Sequence, residues 1–135
     1  AVLLDLLTEE PNLWAWFSFS CRDSGYLCDG TAFPEAVSLC ASHPQVAGIG
    51  VNCTAPEFIT PLMAAARAMT DLPLIAYPNS GEIFDPAGKS WIPGTTGGSL
   101  AAGASAWLSA GADAVGGCCR IDPDAIANLR AALLD

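Results

Sequence analysis

Four times along this chain a short apolar run ends in turn residues and is followed by a segment with helical spacing. The runs are Leu13 to Ser20, Val46 to Asn52, Leu74 to Tyr77 and Ala112 to Gly117. The helical segments run from Thr31 to about Ala41, Thr54 to about Met69, Leu100 to Ala110 and Pro123 to Leu134. Their starts carry Pro34 and Glu35, or Pro56 and Glu57, which suit a first helical turn. Strands and helices in strict alternation call for parallel strands joined by crossover helices. The second helix is expected to bury Phe58, Leu62 and Met69. A long loop from Pro78 to Gly98 interrupts the pattern, and loops of that length on a rigid scaffold usually carry function.

Four βα units are half of an eight-stranded barrel, which typically takes about 250 residues. The segment Ala1 to Leu7 is apolar, has no basic flank or cleavage site, and reads as the last turns of a helix that begins outside this sequence. The expected fold is therefore α/β, of the (β/α)8 TIM-barrel type. The chain forms a single domain, 1–135, holding the last four βα units. At 52% hydrophobic and 14% charged it can fill a core. No run approaches the roughly 18 apolar residues of a membrane helix. A net charge of −9 with five scattered basic residues argues against nucleic acid as a partner. No Gly-x-Gly-x-x-Gly or Walker-type loop follows any strand, so a nucleotide fold lacks motif support.

Six cysteines in 135 residues are too sparse for a disulfide scaffold. With no secretory signal, a reducing cytoplasmic location and free thiols are expected. Three of them stand at the ends of the second and fourth strands: Cys53 in Gly50-Val51-Asn52-Cys53, and the pair in Gly116-Gly117-Cys118-Cys119-Arg120. Neighbouring side chains of a regular strand point to opposite faces, so Cys118 and Cys119 could not share a partner within a pleat. The two glycines end the pleat and allow both sulfurs to turn toward one point. Three thiolates around Zn2+ leave one tetrahedral position open, as in catalytic zinc sites. A substrate thiol bound there is held as a thiolate at neutral pH, and its natural reaction is attack on an activated alkyl group.

These segments, with Tyr77-Pro78-Asn79-Ser80-Gly81-Glu82 and with Trp16-Phe17-Ser18-Phe19 followed by Asp29-Gly30-Thr31, resemble the zinc-dependent homocysteine S-methyltransferases in order along nearly the whole chain. The resemblance implies zinc held by Cys53, Cys118 and Cys119, homocysteine as fourth ligand, and methionine as product. It implies a methyl donor of the sulfonium class, S-methylmethionine or S-adenosylmethionine. Asn79 matches a loop position that can approach the metal when substrate is absent, and Asn52 and Tyr77 are candidates for the substrate site. No separate acid or base residue is called for. The family's Asp-Gly-Gly segment and its Glu-bearing fourth strand, which hold the amino acid part of homocysteine, are not in this sequence. This chain alone is therefore expected to be inactive, and to self-associate through open barrel edges.

Simpler roles stand beside these. Cys118 and Cys119 could form a vicinal disulfide or redox pair, making this a thiol redox protein, or the chain could be a catalytically inactive zinc-binding half-barrel. Cys21, at another strand end, is a rival ligand; Cys40 reads as core and Cys28 as a loop thiol. His43 is placed to cap carbonyls at a helix end. Pro-Asn-Ser-Gly makes a good turn without any ligand, and Asp85, Lys89 and Trp91 read equally well as loop surface. Trp14, Trp16 and Trp107 are expected as core or interface aromatics.

Overall fold

A computed structural model describes residues 2–94 and 99–134. Its centre is a four-stranded, wholly parallel sheet of β1 (Ala15–Phe19), β2 (Val46–Asn52), β3 (Leu74–Tyr77) and β6 (Ala114–Val115), neighbours in that order. The helices are α1 (Val2–Glu9), α2 (Phe33–Ala41), α3 (Pro56–Arg67), α4 (Leu100–Ser109) and α5 (Pro123–Leu134). The long loop after β3 contains an antiparallel hairpin of β4 (Ile83–Asp85) and β5 (Ser90–Ile92), closed over a Phe84–Trp91 pair. That hairpin was not expected, because its strands are only three residues long. The end of the loop, 95–98, lies outside the described residues.

Strand order follows chain order in the main sheet, and right-handed crossovers then put successive helices on one face. Ile49 and Val51 of β2 and Leu74 and Ala76 of β3 are buried with Phe33, Val37 and Cys40 of α2 and Ile59, Leu62, Met63 and Ala66 of α3. Phe17, Phe19 and Val115 pack against the same cluster. Of the expected inward residues of α3, Leu62 is buried and Phe58 is partly buried, but Met69 falls past the helix end and is exposed. Ile59 and Met63, four residues apart, carry that face with Leu62 and Ala66.

The opposite face of the sheet corrects another expectation. A half-barrel is expected to leave Phe17, Phe19, Ile49, Val51, Ile75 and Val115 as an uncovered inner face, but all of these except Ile75 are on the helix side. Alternation along each strand places Trp16, Ser18, Gly48, Gly50, Asn52, Ile75 and Tyr77 on the other side, and the register pairs them across strands. This face is mostly small and polar, with Trp16 and Tyr77 as neighbouring rings 5.7 Å apart. Gly50 has no room for a side chain, since a Cβ there would stand 2.9 Å from Ser18 Oγ and 3.1 Å from the Ile75 carbonyl oxygen.

Trp107 is core, as expected, while Trp14 and Trp16 are exposed at the β1 edge. At the N-terminal end of the sheet Arg67 donates to the Gly111 and Thr70 carbonyls and to Asp113, whose carboxylate also accepts from Leu74 N–H. This clamp ties α3 to the start of β3 and β6, at the end of the sheet away from the cysteines.

Candidate metal centre

Each cysteine of the cluster is delivered by the end of a strand. Beyond β2, Cys53 N–H still donates to the Tyr77 carbonyl at 3.2 Å. The backbone then turns left-handed at Cys53, with φ +46°, and leaves the pleat. On the other side of β3, Gly116 N–H donates to Ala76 at 2.9 Å and Cys118 N–H to Pro78 at 2.8 Å, so pairing continues past β6 up to the vicinal cysteines. Gly117 is needed for this path, since a Cβ there would collide with the side chain of Ile121. Ile121 N–H closes a turn onto the Cys118 carbonyl at 3.2 Å, with Arg120 left-handed at φ +66°.

Strands separated by one neighbour lie roughly 9.6 Å apart in a flat sheet. Here the Cα atoms of Cys53 and Cys118 are 5.5 Å apart. Both chains fold over the end of β3, and the sulfurs of Cys53, Cys118 and Cys119 all fall within 4.8 Å of one another. Cys53 and Cys118 are joined as a disulfide, and Cys119 Sγ lies 3.3 Å from Cys53 Sγ and 3.9 Å from Cys118 Sγ. Sulfur ligands on tetrahedral zinc are about 3.8 Å apart, from Zn–S bonds of about 2.3 Å. The two separations to Cys119 are close to ligand spacing, the Cys53–Cys118 bond must be reduced before all three could bind one ion, and an all-thiolate donor set suits Zn2+. The vicinal disulfide considered from the sequence is not formed, and Cys119 is a free, exposed thiol.

The remaining candidates divide by contact. Asn79 is braced at both ends of its amide, donating to the Cys53 carbonyl at 3.3 Å and accepting from Gly81 N–H at 2.9 Å. Asn52 donates to Ser20 Oγ at 3.0 Å and pairs in register with Tyr77 on the helix-free face. Cys21 is outside the cluster: it is buried, and its thiol pKa is pushed up to about 11 by burial first and by the neighbouring Cys28 second. Cys40 is core, its thiol also raised by burial, and Cys28 is exposed. His43 caps α2 through its backbone, its N–H donating to the Cys40 carbonyl at 3.1 Å, and not through its ring: Nδ1 accepts from Gln45 N–H and Nε2 bonds Thr8 Oγ1 at 2.9 Å. Asp85 bonds the backbone of its own hairpin turn, at Ala87 and Gly88.

Two groups of residues around the cysteines were not singled out in advance. Thr54, expected at a helix start, is fully buried; its hydroxyl accepts from Cys21 N–H at 2.9 Å and donates to the Asn52 carbonyl at 3.0 Å. Its own carbonyl accepts from Asn79 N–H, so Thr54 holds the ends of β1, β2 and β3 together. Glu82 and Arg120 form an ion pair at 2.8 Å beside the cysteine turn. Hydrogen bonds from Arg120 and then Ser80 hold the Glu82 carboxyl below its ordinary range. The signal for both was present, since Glu82 and Arg120 end the two motifs, but nothing in a linear sequence pairs one with the other.

Beside these loops lies a cleft of about 310 Å3, lined by Asn79, Ser80, Leu100, Ile121 and Asp122 among others. No helix among the described residues is long and apolar enough to cross a membrane.

Comparison with known proteins agrees with this geometry. The family model described as Homocysteine S-methyltransferase matches residues 1–133. The homocysteine S-methyltransferase of Escherichia coli (strain K12) is 45% identical over 130 residues, which are 96% of this chain and 42% of that protein. Homocysteine S-methyltransferase YbgG of Bacillus subtilis (strain 168) is 39% identical over 129 residues, 96% of this chain and 41% of that one. The crystal structure of the metallated form of the homocysteine methyltransferase MmuM from Escherichia coli matches with a TM-score of 0.77 and 42% identity, covering 96% of this chain and 39% of that one. An oxidised form of the same enzyme matches with a TM-score of 0.76 and 40% identity, over the same shares of the two chains. The chain thus spans about two-fifths of the length of the curated relatives it matches. With the cysteine cluster, the parallel sheet and these matches together, the chain belongs to the homocysteine S-methyltransferase family.

Proposed function

We propose that this chain is the metal-bearing half of a homocysteine S-methyltransferase, and that Cys53, Cys118 and Cys119 hold Zn2+ as thiolates. The observation that carries the reading is the convergence of those three sulfurs at the ends of β2 and β6. Zinc held by three thiolates would supply an open position at which a substrate thiol loses its proton near neutral pH. In the reaction, the homocysteine thiolate attacks the methyl carbon of S-methylmethionine or S-adenosylmethionine. A new sulfur–carbon bond forms, the sulfonium–methyl bond breaks, and the donor leaves as a neutral thioether. The thiol proton passes to solvent, and methionine is the product. The cleft beside Asn79 and Ser80 gives the donor room to approach. Asn52 and Tyr77 line the helix-free face for substrate, and Asn79, whose loop leans on Cys53, serves as fourth ligand when substrate is absent.

One-sided helix cover and a strand order that follows the chain support a half-barrel of the (β/α)8 type. Such a half leaves the β1 and β6 edges open, and Leu13, Trp14 and Trp16 are exposed along β1. This chain alone therefore self-associates, and it lacks the groups that hold the amine and carboxylate of homocysteine. Without that positioning, which can supply ~7–11 kcal/mol of a barrier, it turns over poorly. Thiolate ligands point to a reducing compartment, the cytoplasm.

The test is zinc content of the reduced chain together with methionine formation from homocysteine and S-methylmethionine. The chain is assayed alone and joined to an upstream half supplied by a family relative. Zinc uptake by the chain and turnover only by the joined protein are expected. Comparable turnover by both would show that the substrate site has been misplaced. The Cys53–Cys118 disulfide favours a second reading, a thiol redox protein, and a reduced chain that takes up no zinc would select it.

A further inference from the structure

Arg120 stands where its backbone is costly. It occupies the third position of the Cys118–Ile121 turn with φ +66°, a left-handed conformation in which glycine or asparagine is the usual occupant. A strained side chain at such a place calls for a reason in its contacts. Its guanidinium Nε donates to Glu82 Oε2 at 2.8 Å and Nη2 reaches Oε1 at 3.5 Å. Glu82 Oε2 also accepts from Ser80 Oγ at 2.9 Å, and Ser80 N–H donates to the Cys119 carbonyl at 3.1 Å. In the same loop Asn79 donates to the Cys53 carbonyl and the Pro78 carbonyl accepts from Cys118 N–H. The segment 78–82 is thereby fastened to all three cysteine-bearing peptides, and the Glu82–Arg120 pair closes the outer end of the clasp.

Stability of the fold is a poor explanation for the pair. The side chains are 31% and 53% exposed, and ion pairs that open to water contribute little. Resting on the zinc reading above, we propose that Glu82 and Arg120 are positioning residues. In this role the ion pair holds the Cys118–Cys119 turn in the arrangement that presents two adjacent thiolates to one metal, and so sets metal affinity. Neither side chain ligates the metal, and the effect passes through the backbone of Cys119 and the Ser80 bridge.

Arg120→Gly separates this role from a structural one, because it relieves the left-handed backbone while deleting the pair. If Arg120 serves only the fold, the variant keeps its zinc affinity and any change is confined to stability. The positioning role predicts zinc binding weakened about 10- to 100-fold, in line with losses of outer-shell partners at metal sites. The urea midpoint should be unchanged or higher. Glu82→Gln, which leaves the turn backbone untouched, should weaken zinc in the same direction, and Arg120→Lys should recover most of the affinity. Arg67→Lys, at the far end of the sheet, should lower stability without changing zinc affinity. Affinities are read on the reduced chain by competition with a chromophoric chelator, and the thiolate-to-metal absorption of the Co2+-loaded chain reports the arrangement of the ligands. Zinc affinity and Co2+ spectra equal to the parent in Arg120→Gly and Glu82→Gln would overturn the positioning role alone. A parent chain that binds no zinc would overturn it together with the zinc reading.

Discussion

Adjacent glycines in Gly116-Gly117 should respond unequally to the same small change. A methyl added at Gly117 would stand 2.7 Å from Ile121 Cβ and 2.9 Å from its Cγ1, with Cγ2 closer still, where ordinary contact begins at 3.4 Å. These atoms lie at the base of a branched side chain, so the clash can be relieved only by moving the Ile121 backbone. Ile121 closes the turn onto the Cys118 carbonyl, and that motion therefore drags the cysteine turn with it. Overpacking of this kind costs typically ~1–3 kcal/mol. With a urea slope of about 2 kcal/mol/M, the midpoint of Gly117→Ala should fall by roughly 1 M. At Gly116 the added methyl meets only Tyr77 Cβ, at 3.8 Å, and the midpoint should stay within about 0.3 M of the parent. Urea denaturation of the reduced proteins gives the stability, and zinc competition on the same samples should show loss in Gly117→Ala alone. Adding Ile121→Ala should rescue Gly117→Ala only in part, because the Cβ contact at 2.7 Å remains. Equal behaviour of the two glycine variants would refute the argument that close approach of Gly117 to Ile121 shapes the site.

Cys119→Ser should sharply reduce the zinc carried by the purified reduced chain, whereas Cys40→Ser, in the α2 core, should leave it unchanged; equal loss in both would indicate misfolding. Zinc affinity should weaken on acidification, measured by competition titrations across pH, because protons compete for the three thiolates. Cys21 keeps its proton to about pH 11 when folded, against an ordinary thiol value of 9.0, so the folded state binds more protons across that window. Its contribution is complete below pH 9 and is lost as pH rises toward 11. Cys21→Ala should flatten that alkaline slope in urea melts, and an unchanged slope would show that the thiol does not carry it. At neutral pH an alkylating reagent should label exposed Cys28 and Cys119 long before buried Cys21 and Cys40.

Much of this protein was legible in the linear chain. Alternating apolar runs and helical spacing are local properties, so four parallel strands and the helices between them could be read residue by residue. That Cys53, Cys118 and Cys119 stand at strand ends was legible too, because Gly-Gly-Cys-Cys and Asn-Cys at strand ends are short motifs whose glycines already state that the pleat must break. Which face of the sheet the helices cover was not legible, since alternation separates Phe17 and Phe19 from Trp16 and Ser18 but does not say on which side the helices pack, and only the tertiary contacts put Phe17 and Val51 on the helix side. The short β4–β5 hairpin escaped for the same reason that it is marginal: three residues per strand carry too little periodicity to read. Only the tertiary structure could bring Glu82 to Arg120, bury Thr54 beneath three strand ends, and draw Cys53 within 5.5 Å of Cys118 across an intervening strand. Those contacts join residues 38, 33 and 65 positions apart, and their energy exists only once the chain is packed, which no local pattern can encode.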